Sequence, residues 1–230
     1  MGAACPLLRQ LHEQVMTPTM SFDPTLYAIA DAGVLSAADA PEVLAKAIAG
    51  GVTAVQIRAK ELTDDEFVGF ASELIAVARS NKISAIVNDR VEAAVSLNAD
   101  GVHLGAEDVP VRDAHRVLGK DAIIGVTAHS LEEVANAEAL GADYVGFGSI
   151  YPSPSKVVEA IQGIDGVRKA RELTRLPIVA IGGITVERAA DVISAGADGV
   201  AVISGLWGAE DPEPRAREYR AAIARGRQKR

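Results

Sequence analysis

From Thr25 onward the chain alternates between two kinds of hydrophobic pattern. Short apolar runs rich in Val and Ile, nearly free of charge, occur at Leu26–Ala30, Val52–Ile57, Ile83–Val87, Gly101–Leu104, Ala122–Val126, Tyr144–Phe147, Ile178–Ile181 and Gly199–Ile203. Strands covered on both faces have this continuous apolar character. Between them lie stretches such as Asp64–Ser80 and Leu131–Leu140, in which apolar residues recur at helical spacing. Ser130 is placed to cap the second of these, with Glu133 as its capping-box partner.

An internal echo supports the alternation. "NADGVHLG", "GADYVGFG" and "GADGVAVI" begin at residues 98, 141 and 196, and "GGVTAVQI" at residue 50 is a looser copy. In the first three, a small residue closes a helix, Ala-Asp makes the turn, and a strand begins; glycine after a helix supplies the left-handed conformation that ends it. Eight strands alternating with helices in a chain of 230 residues predict a single (β/α)8 TIM barrel over residues 25–230. Residues 1–24 read as an N-terminal extension, with a short helix over Pro6 to Met16 and a linker through Pro24. The rival is an open doubly wound sheet, which binds nucleotides through a Gly-x-Gly-x-x-Gly turn after its first strand; here "DAGVLSAADAPEV" follows and lacks that pattern.

Active sites of barrels lie at the C-terminal ends of the strands, so the residues just after each apolar run carry the chemistry. Strand two runs into "QIRAK", where alternation puts Gln56, Arg58 and Lys60 on one side, an amide and two cations suited to a phosphate or pyrophosphate. Strand three ends in Asn88-Asp89 and strand four in "GAEDV", with Asp108. Adjacent strands are ~4.8 Å apart, so carboxylates at neighbouring ends can converge. Two carboxylates beside Arg and Lys suggest Mg²⁺ bridging a polyphosphate, since magnesium takes one or two protein carboxylates and leaves the rest to water and phosphate. Helix capping competes: Asp89 precedes "RVEAAVSL" and Asp108 precedes Pro110.

Strand five ends in "VTAHS", where Thr127 can donate to phosphate; His129 reads as structural, and His103, within strand four, as a satisfied interior histidine. The long loop "GSIYPSPSKVVEAIQG" carries Ser153, Ser155 and Lys156, hydroxyls beside a lysine that suit a substrate clamp. After strands seven and eight, Gly182, Gly183, Ser204 and Gly205 fit the recurrent backbone phosphate site of these barrels. Two anion sites in one mouth predict two phosphorylated groups held together.

Composition narrows this further. Net charge is −8, which disfavours a nucleic-acid partner but leaves a small anionic ligand open. A single cysteine, Cys5, excludes an internal disulfide framework and a thiolate zinc site and fits a reducing cytoplasm. No apolar run reaches the ~20 residues needed to cross a bilayer, and Arg9, His12 and Glu13 interrupt any signal-peptide core. The partners expected are therefore small molecules, with no membrane, and a homo-oligomer left open.

The stretches "QIRAK" (56–60), "VNDR" (87–90), "GVHLGAEDV" (101–109), "GVTAHS" (125–130), "GADYVGFGSIYPSPSK" (141–156), "AIGGIT" (180–185) and "GADGVAVIS" (196–204), in this order, resemble the thiamine-phosphate synthase family from Leu26 to about Asp211. The resemblance implies a transferase that joins 4-amino-5-hydroxymethyl-2-methylpyrimidine diphosphate to a thiazole phosphate or its carboxylate. Pyrophosphate leaves first, and a pyrimidine-stabilised cation is captured by the thiazole nitrogen. Carried over by position, Gln56, Arg58, Lys60 and Asn88 would hold the diphosphate and Asp89 and Asp108 would bind Mg²⁺. Thr127 and Lys156 would contact the leaving group or pyrimidine, while Ser153, Ser155, Gly183, Ile203 and Ser204 would hold the thiazole phosphate. Arg58, Lys60 and Lys156 are the catalytic candidates. The family usually has threonines where Ser153 and Ser155 stand, and serine at Thr127; hydroxyls survive at all three. A thiazole tautomerase of the same fold family, a Schiff-base aldolase using Lys60 or Lys156, and a non-catalytic phosphate-binding regulator are the competing readings.

Overall fold

A computed structural model of the chain describes residues 22–152 and 160–230. Eight parallel strands close into a barrel in sequence order: β1 (Leu26–Asp31), β2 (Ala54–Arg58), β3 (Ser84–Asn88), β4 (Gly101–Leu104), β5 (Ile123–Ala128), β6 (Tyr144–Gly148), β7 (Ile178–Ile181) and β8 (Gly199–Val202). The connecting helices are α1 (Ala40–Ala49), α2 (Asp64–Ser80), α3 (Val91–Ser96), α4 (Val111–Leu118), α5 (Leu131–Leu140), α6 (Gly163–Leu173) and α7 (Val186–Ser194). A short α8 (Ser204–Trp207) and the closing α9 (Pro212–Gln228) follow β8. This is the (β/α)8 TIM barrel that the alternation predicts. Among the described residues no helix is long and apolar enough to cross a membrane. The helix expected over Pro6 to Met16 lies outside the described residues.

Several strands run past their apolar runs: β1 takes in Asp31, β2 Arg58, β3 Asn88, and β5 Thr127 and Ala128. Hydrophobicity stops where the barrel opens to water, but the hydrogen-bonded ladder continues, with Asp31 in register with Arg58 and Asn88 with His103.

The echoed motif has a structural reason that goes beyond its turn. In each copy the residue before the even-numbered strand grips the odd-numbered strand before it at both backbone groups. Asp100 N–H donates to Ala85 O (2.9 Å) while its carboxylate accepts from Ala85 N–H (2.8 Å). Asp143 does the same at Ile124 (2.7 and 2.7 Å) and Asp198 at Ile178 (2.8 and 2.9 Å). In the looser copy Thr53 grips Leu26, its hydroxyl replacing the carboxylate at 3.0 Å. The residue closing each preceding helix is left-handed as the glycines suggested: Gly51, Asn98, Gly141 and Gly196 have φ of 114°, 51°, 87° and 124°.

Alternate residues point into the barrel. Tyr27, Ile29, Ala54, Ile86, Tyr144, Val179 and Ala201 form the interior cluster. Phe22, just ahead of the boundary expected at Pro24, stacks on Tyr144 (centroids 4.5 Å) and meets Tyr27 edge-on. Branched aliphatics usually fill such interiors. Here aromatic rings share the space with Ile29, Ile86 and Val179, and inward-facing glycines make room: a Cβ on Gly125 would lie 2.0 Å from the Tyr144 ring. The remaining apolar residues pack between barrel and helices. Helix α2 starts at a full capping box, Thr63 with Glu66; Ser130 caps α5 as expected, but Glu133 reaches one residue further back, to His129 N–H (2.5 Å).

Candidate active site

Most of the described residues expected after the strands stand at the C-terminal rim. Arg58 pairs with Asp31, at the end of β1, and the other Asp31 oxygen accepts Gly33 N–H at 2.8 Å. Asp31 is buried and holds the guanidinium. Sequence reading passed over Asp31, although it stands where the strand-end rule says to look. Gln56 lies two residues deeper, buried inside the barrel, with Nε2 3.3 Å from Tyr27 Oη.

Lys60 lies beyond β2, its Nζ 3.5 Å from an Asp89 oxygen. Asp89 has φ +62°, a region few non-glycine side chains adopt, Asp and Asn most readily. Its N–H donates to His103 O at 2.9 Å, which ties the turn to β4. In this pose the Asp89 and Asp108 carboxyl groups stand within hydrogen-bonding reach of each other. Burial first, then the hydrogen bond with Asp108 and its charge, raises the Asp89 pKa above the ordinary carboxylate value, and Lys60 opposes this.

Neither aspartate caps a helix. The residue flanking α3 is Arg90 and that flanking α4 is Pro110, neither with a side-chain cap, and Asp108 instead accepts Gly105 N–H at 2.6 Å. The capping alternative therefore fails at both positions. Among the described residues no cluster of three or more acidic, histidine or cysteine ligands occurs. Two converging carboxylates form a hard oxygen donor set with excess negative charge. That fits Mg²⁺, whose other positions go to water and phosphate.

Beside this pair is a cleft of about 210 Å³ lined by Ala59, Lys60, Asn88, Asp89 and Arg90. Arg90 donates to Leu62 O (2.5 Å), Ala59 O (3.2 Å) and Asp64 (2.6 Å) and lies over the Phe67 ring. It thus pins the loop that carries Lys60. It too was overlooked, although it follows Asp89 directly. A larger hollow of about 430 Å³ opens at the opposite end of the barrel, among Arg171, Arg175, Arg227 and Arg230. There Arg171 and Arg230 share Asp198, and Arg227 bonds Thr25 and the Asp198 carbonyl: a framework, remote from the rim.

Thr127 Oγ1 lies 2.9 Å from His103 Nε2, and His103 Nδ1 3.0 Å from Tyr144 Oη, so His103 is the satisfied interior histidine expected. His129 Nδ1 bonds Gly148 O at 2.9 Å, a structural role. Across the mouth, Gly182 and Gly183 have φ of 98° and 61°, and a Cβ on Gly183 would lie 2.5 Å from Pro152 O. Ile203 follows β8 and Ser204, exposed, opens α8. Tyr219 supports both turns: its hydroxyl donates to Ile184 O at 3.0 Å and fills the space where a Gly205 side chain would go. Ser153, Ser155 and Lys156 lie outside the described residues.

The thiamine monophosphate synthase family model matches residues 26–206. The chain belongs to that family. It is 45% identical over 197 residues to the thiamine-phosphate synthase of Bacillus velezensis, covering 84% of this chain and 88% of that one. It is 42% identical over 186 residues to that of Caldanaerobacter subterraneus subsp. tengcongensis, covering 80% and 87%. Among solved structures, the thiamine phosphate pyrophosphorylase of Pyrococcus furiosus superposes with a TM-score of 0.79 at 37% identity, covering 89% and 97%. The family match spans every rim position named above except those beyond residue 206.

Proposed function

We propose that the chain is a thiamine-phosphate synthase in which the Asp89–Asp108 rim receives the pyrimidine diphosphate and the Gly182–Gly183 and Ser204 turns receive the thiazole phosphate. The activity follows from family membership and from relatives above 40% identity over most of the chain. The observation that carries the site assignment is the meeting of two carboxylates beside Lys60. A diphosphate alone would be repelled by such a pair; a diphosphate with a divalent cation would be drawn to it.

Asp89 and Asp108 would hold Mg²⁺, which when bound would neutralise diphosphate charge. As the bond from the pyrimidine methylene carbon to the diphosphate oxygen breaks, negative charge gathers on the leaving group. Arg58, oriented by Asp31, and Lys60, held by the Arg90-pinned loop, then interact more strongly with it than in the ground state. Asn88 and Thr127 add hydrogen bonds at the same rim. Backbone N–H groups of the left-handed Gly182–Gly183 turn and the Ser204 hydroxyl seat the thiazole phosphate, so the thiazole nitrogen is held next to the cationic carbon. Ser153, Ser155 and Lys156 complete the clamp. Lys60 has a carboxylate at 3.5 Å and a side chain 56% exposed, the opposite of the desolvated amine a Schiff-base aldolase needs. The reaction belongs to thiamine biosynthesis in the cytoplasm, and Mg²⁺ is its metal.

Incubation of the pyrimidine diphosphate, thiazole phosphate and Mg²⁺ with the protein should release pyrophosphate and form thiamine monophosphate. A tautomerase would release none. Asp89→Ala should abolish Mg²⁺-dependent turnover with the fold retained; normal turnover in that variant refutes the metal assignment.

A further inference from the structure

Five polar side chains form one hydrogen-bonded line across the barrel interior. Gln56 Nε2 is 3.3 Å from Tyr27 Oη, which is 2.9 Å from Tyr144 Oη; that in turn is 3.0 Å from His103 Nδ1, and His103 Nε2 is 2.9 Å from Thr127 Oγ1. Gln56, Tyr27, Tyr144 and His103 are all buried, at 8% exposure or less. The line is accommodated by absent side chains: besides Gly125, a Cβ on Gly146 would lie 2.9 Å from His103 Cε1. The His103 and Tyr144 rings stack, with centroids 5.5 Å apart.

Counting hydrogens gives the line a direction. An amide N–H can only donate, so Gln56 donates to Tyr27 Oη. Tyr27 has one hydroxyl hydrogen, and its other partner is Tyr144. A buried hydroxyl hydrogen needs an acceptor, and pairing every one in the line requires that Tyr27 donates to Tyr144 and Tyr144 to His103 Nδ1, which is then unprotonated. With Nδ1 taken up as an acceptor, the ring keeps a single hydrogen. That hydrogen sits on Nε2 and goes to Thr127 Oγ1. The Thr127 hydroxyl hydrogen is left over for an acceptor in the mouth.

We propose that the buried line holds His103 as the Nε2–H tautomer and so presents Thr127 to the substrate as a hydrogen-bond donor. His103 is a positioning residue that acts through Thr127. With the opposite tautomer, Nε2 would consume the Thr127 hydrogen and lone pairs would face the mouth, repelling phosphoryl oxygens. The direction of the line makes this point of the rim selective for an acceptor-rich group such as a diphosphate. That last step rests on the site assignment above; the tautomer does not.

The test uses ligand-free full-length protein with 15N-labelled histidine and long-range 1H–15N spectra, which report the protonated ring nitrogen. His12→Gln, His115→Gln and His129→Gln assign the His103 signals by elimination without disturbing the barrel interior. The expected result is Nε2 protonated and Nδ1 bare; Nδ1–H, or an even mixture, overturns the proposal. In Tyr27→Phe the direction is lost: an Nδ1–H population should appear, and kcat/KM for the pyrimidine diphosphate should fall about tenfold with KM for thiazole phosphate unchanged. Reduced thermal stability with tautomer and kinetics both unchanged would mean that the line is only structural, and would overturn the proposal. Should Tyr27→Phe not fold, Tyr144→Phe removes the link next to His103 and carries the same expectations. If wild-type protein releases no pyrophosphate, the site assignment fails while the tautomer measurement still decides the direction of the line.

Discussion

Replacing Asp108 with Asn should make the metal-free protein more stable. Like charges ~4 Å apart in an effective dielectric of ~20 repel by ~4 kcal/mol, and solvent at this open rim removes about half of that. The variant also weakens the bond from Gly105 N–H, since an amide oxygen accepts less strongly than a carboxylate, a loss of ~1 kcal/mol. The balance is a gain of ~1 kcal/mol, or ~2–4 °C in Tm for a chain of this size. The pH dependence fixes the sign. Asp89 has a raised pKa in the folded state, so its unfavourable contribution grows as pH rises through that value and is absent where the group is protonated. The advantage of Asp108→Asn should therefore be full at pH 8 and vanish as pH falls towards ~4. Mg²⁺ should reverse the ranking. Wild type gains ~2.7 kcal/mol at a hundredfold excess over Kd, and the variant, lacking one ligand, gains little. Thermal unfolding of both proteins in EDTA and in Mg²⁺, at several pH values, measures all of this. A variant less stable than wild type in EDTA at pH 8, with wild type indifferent to Mg²⁺, would refute the reasoning.

Gly183→Ala places a side chain at φ +61° with its Cβ 2.5 Å from Pro152 O; KM for thiazole phosphate should rise more than ~tenfold, while the Mg²⁺-dependent shift in Tm stays as in wild type. Arg90→Met frees the Ala59 and Leu62 carbonyls and loosens the Lys60 loop; steady-state kinetics should show KM for the pyrimidine diphosphate raised several-fold and KM for thiazole phosphate unmoved. Asp143→Ala leaves Ile124 N–H without its acceptor and should lower stability by ~1–3 kcal/mol in urea titrations, with turnover at 25 °C nearly normal.

The chain displays its architecture openly because each layer of the barrel leaves a periodic trace. Strands covered on both faces are uniformly apolar, and the Asp100, Asp143 and Asp198 turns recur because one backbone grip recurs. Rim positions are legible where a charged residue interrupts that trace, as at Arg58, Lys60, Asp89 and Asp108. Asp31 and Arg90 obey the same rule, but their tasks are to hold Arg58 and the Lys60 loop, and a partner 27 residues away leaves no local mark. The Gln56–Tyr27–Tyr144–His103–Thr127 line is harder still to read. Its members come from five strands, with separations up to 117 residues, and Tyr27 and Tyr144 look like ordinary core residues until the closed barrel brings them face to face.

The four grips by Thr53, Asp100, Asp143 and Asp198 all act at the end of the barrel away from the mouth, each spanning 27 residues or fewer. Alignment within four of the eight neighbouring strand pairs is thus set by short-range contacts that can form early, before the cylinder closes. The opposite rim is relieved of that share of the work. Its loops can exchange side chains and ligand preferences while the scaffold beneath stays in step, a separation of tasks that lets one barrel host different chemistries.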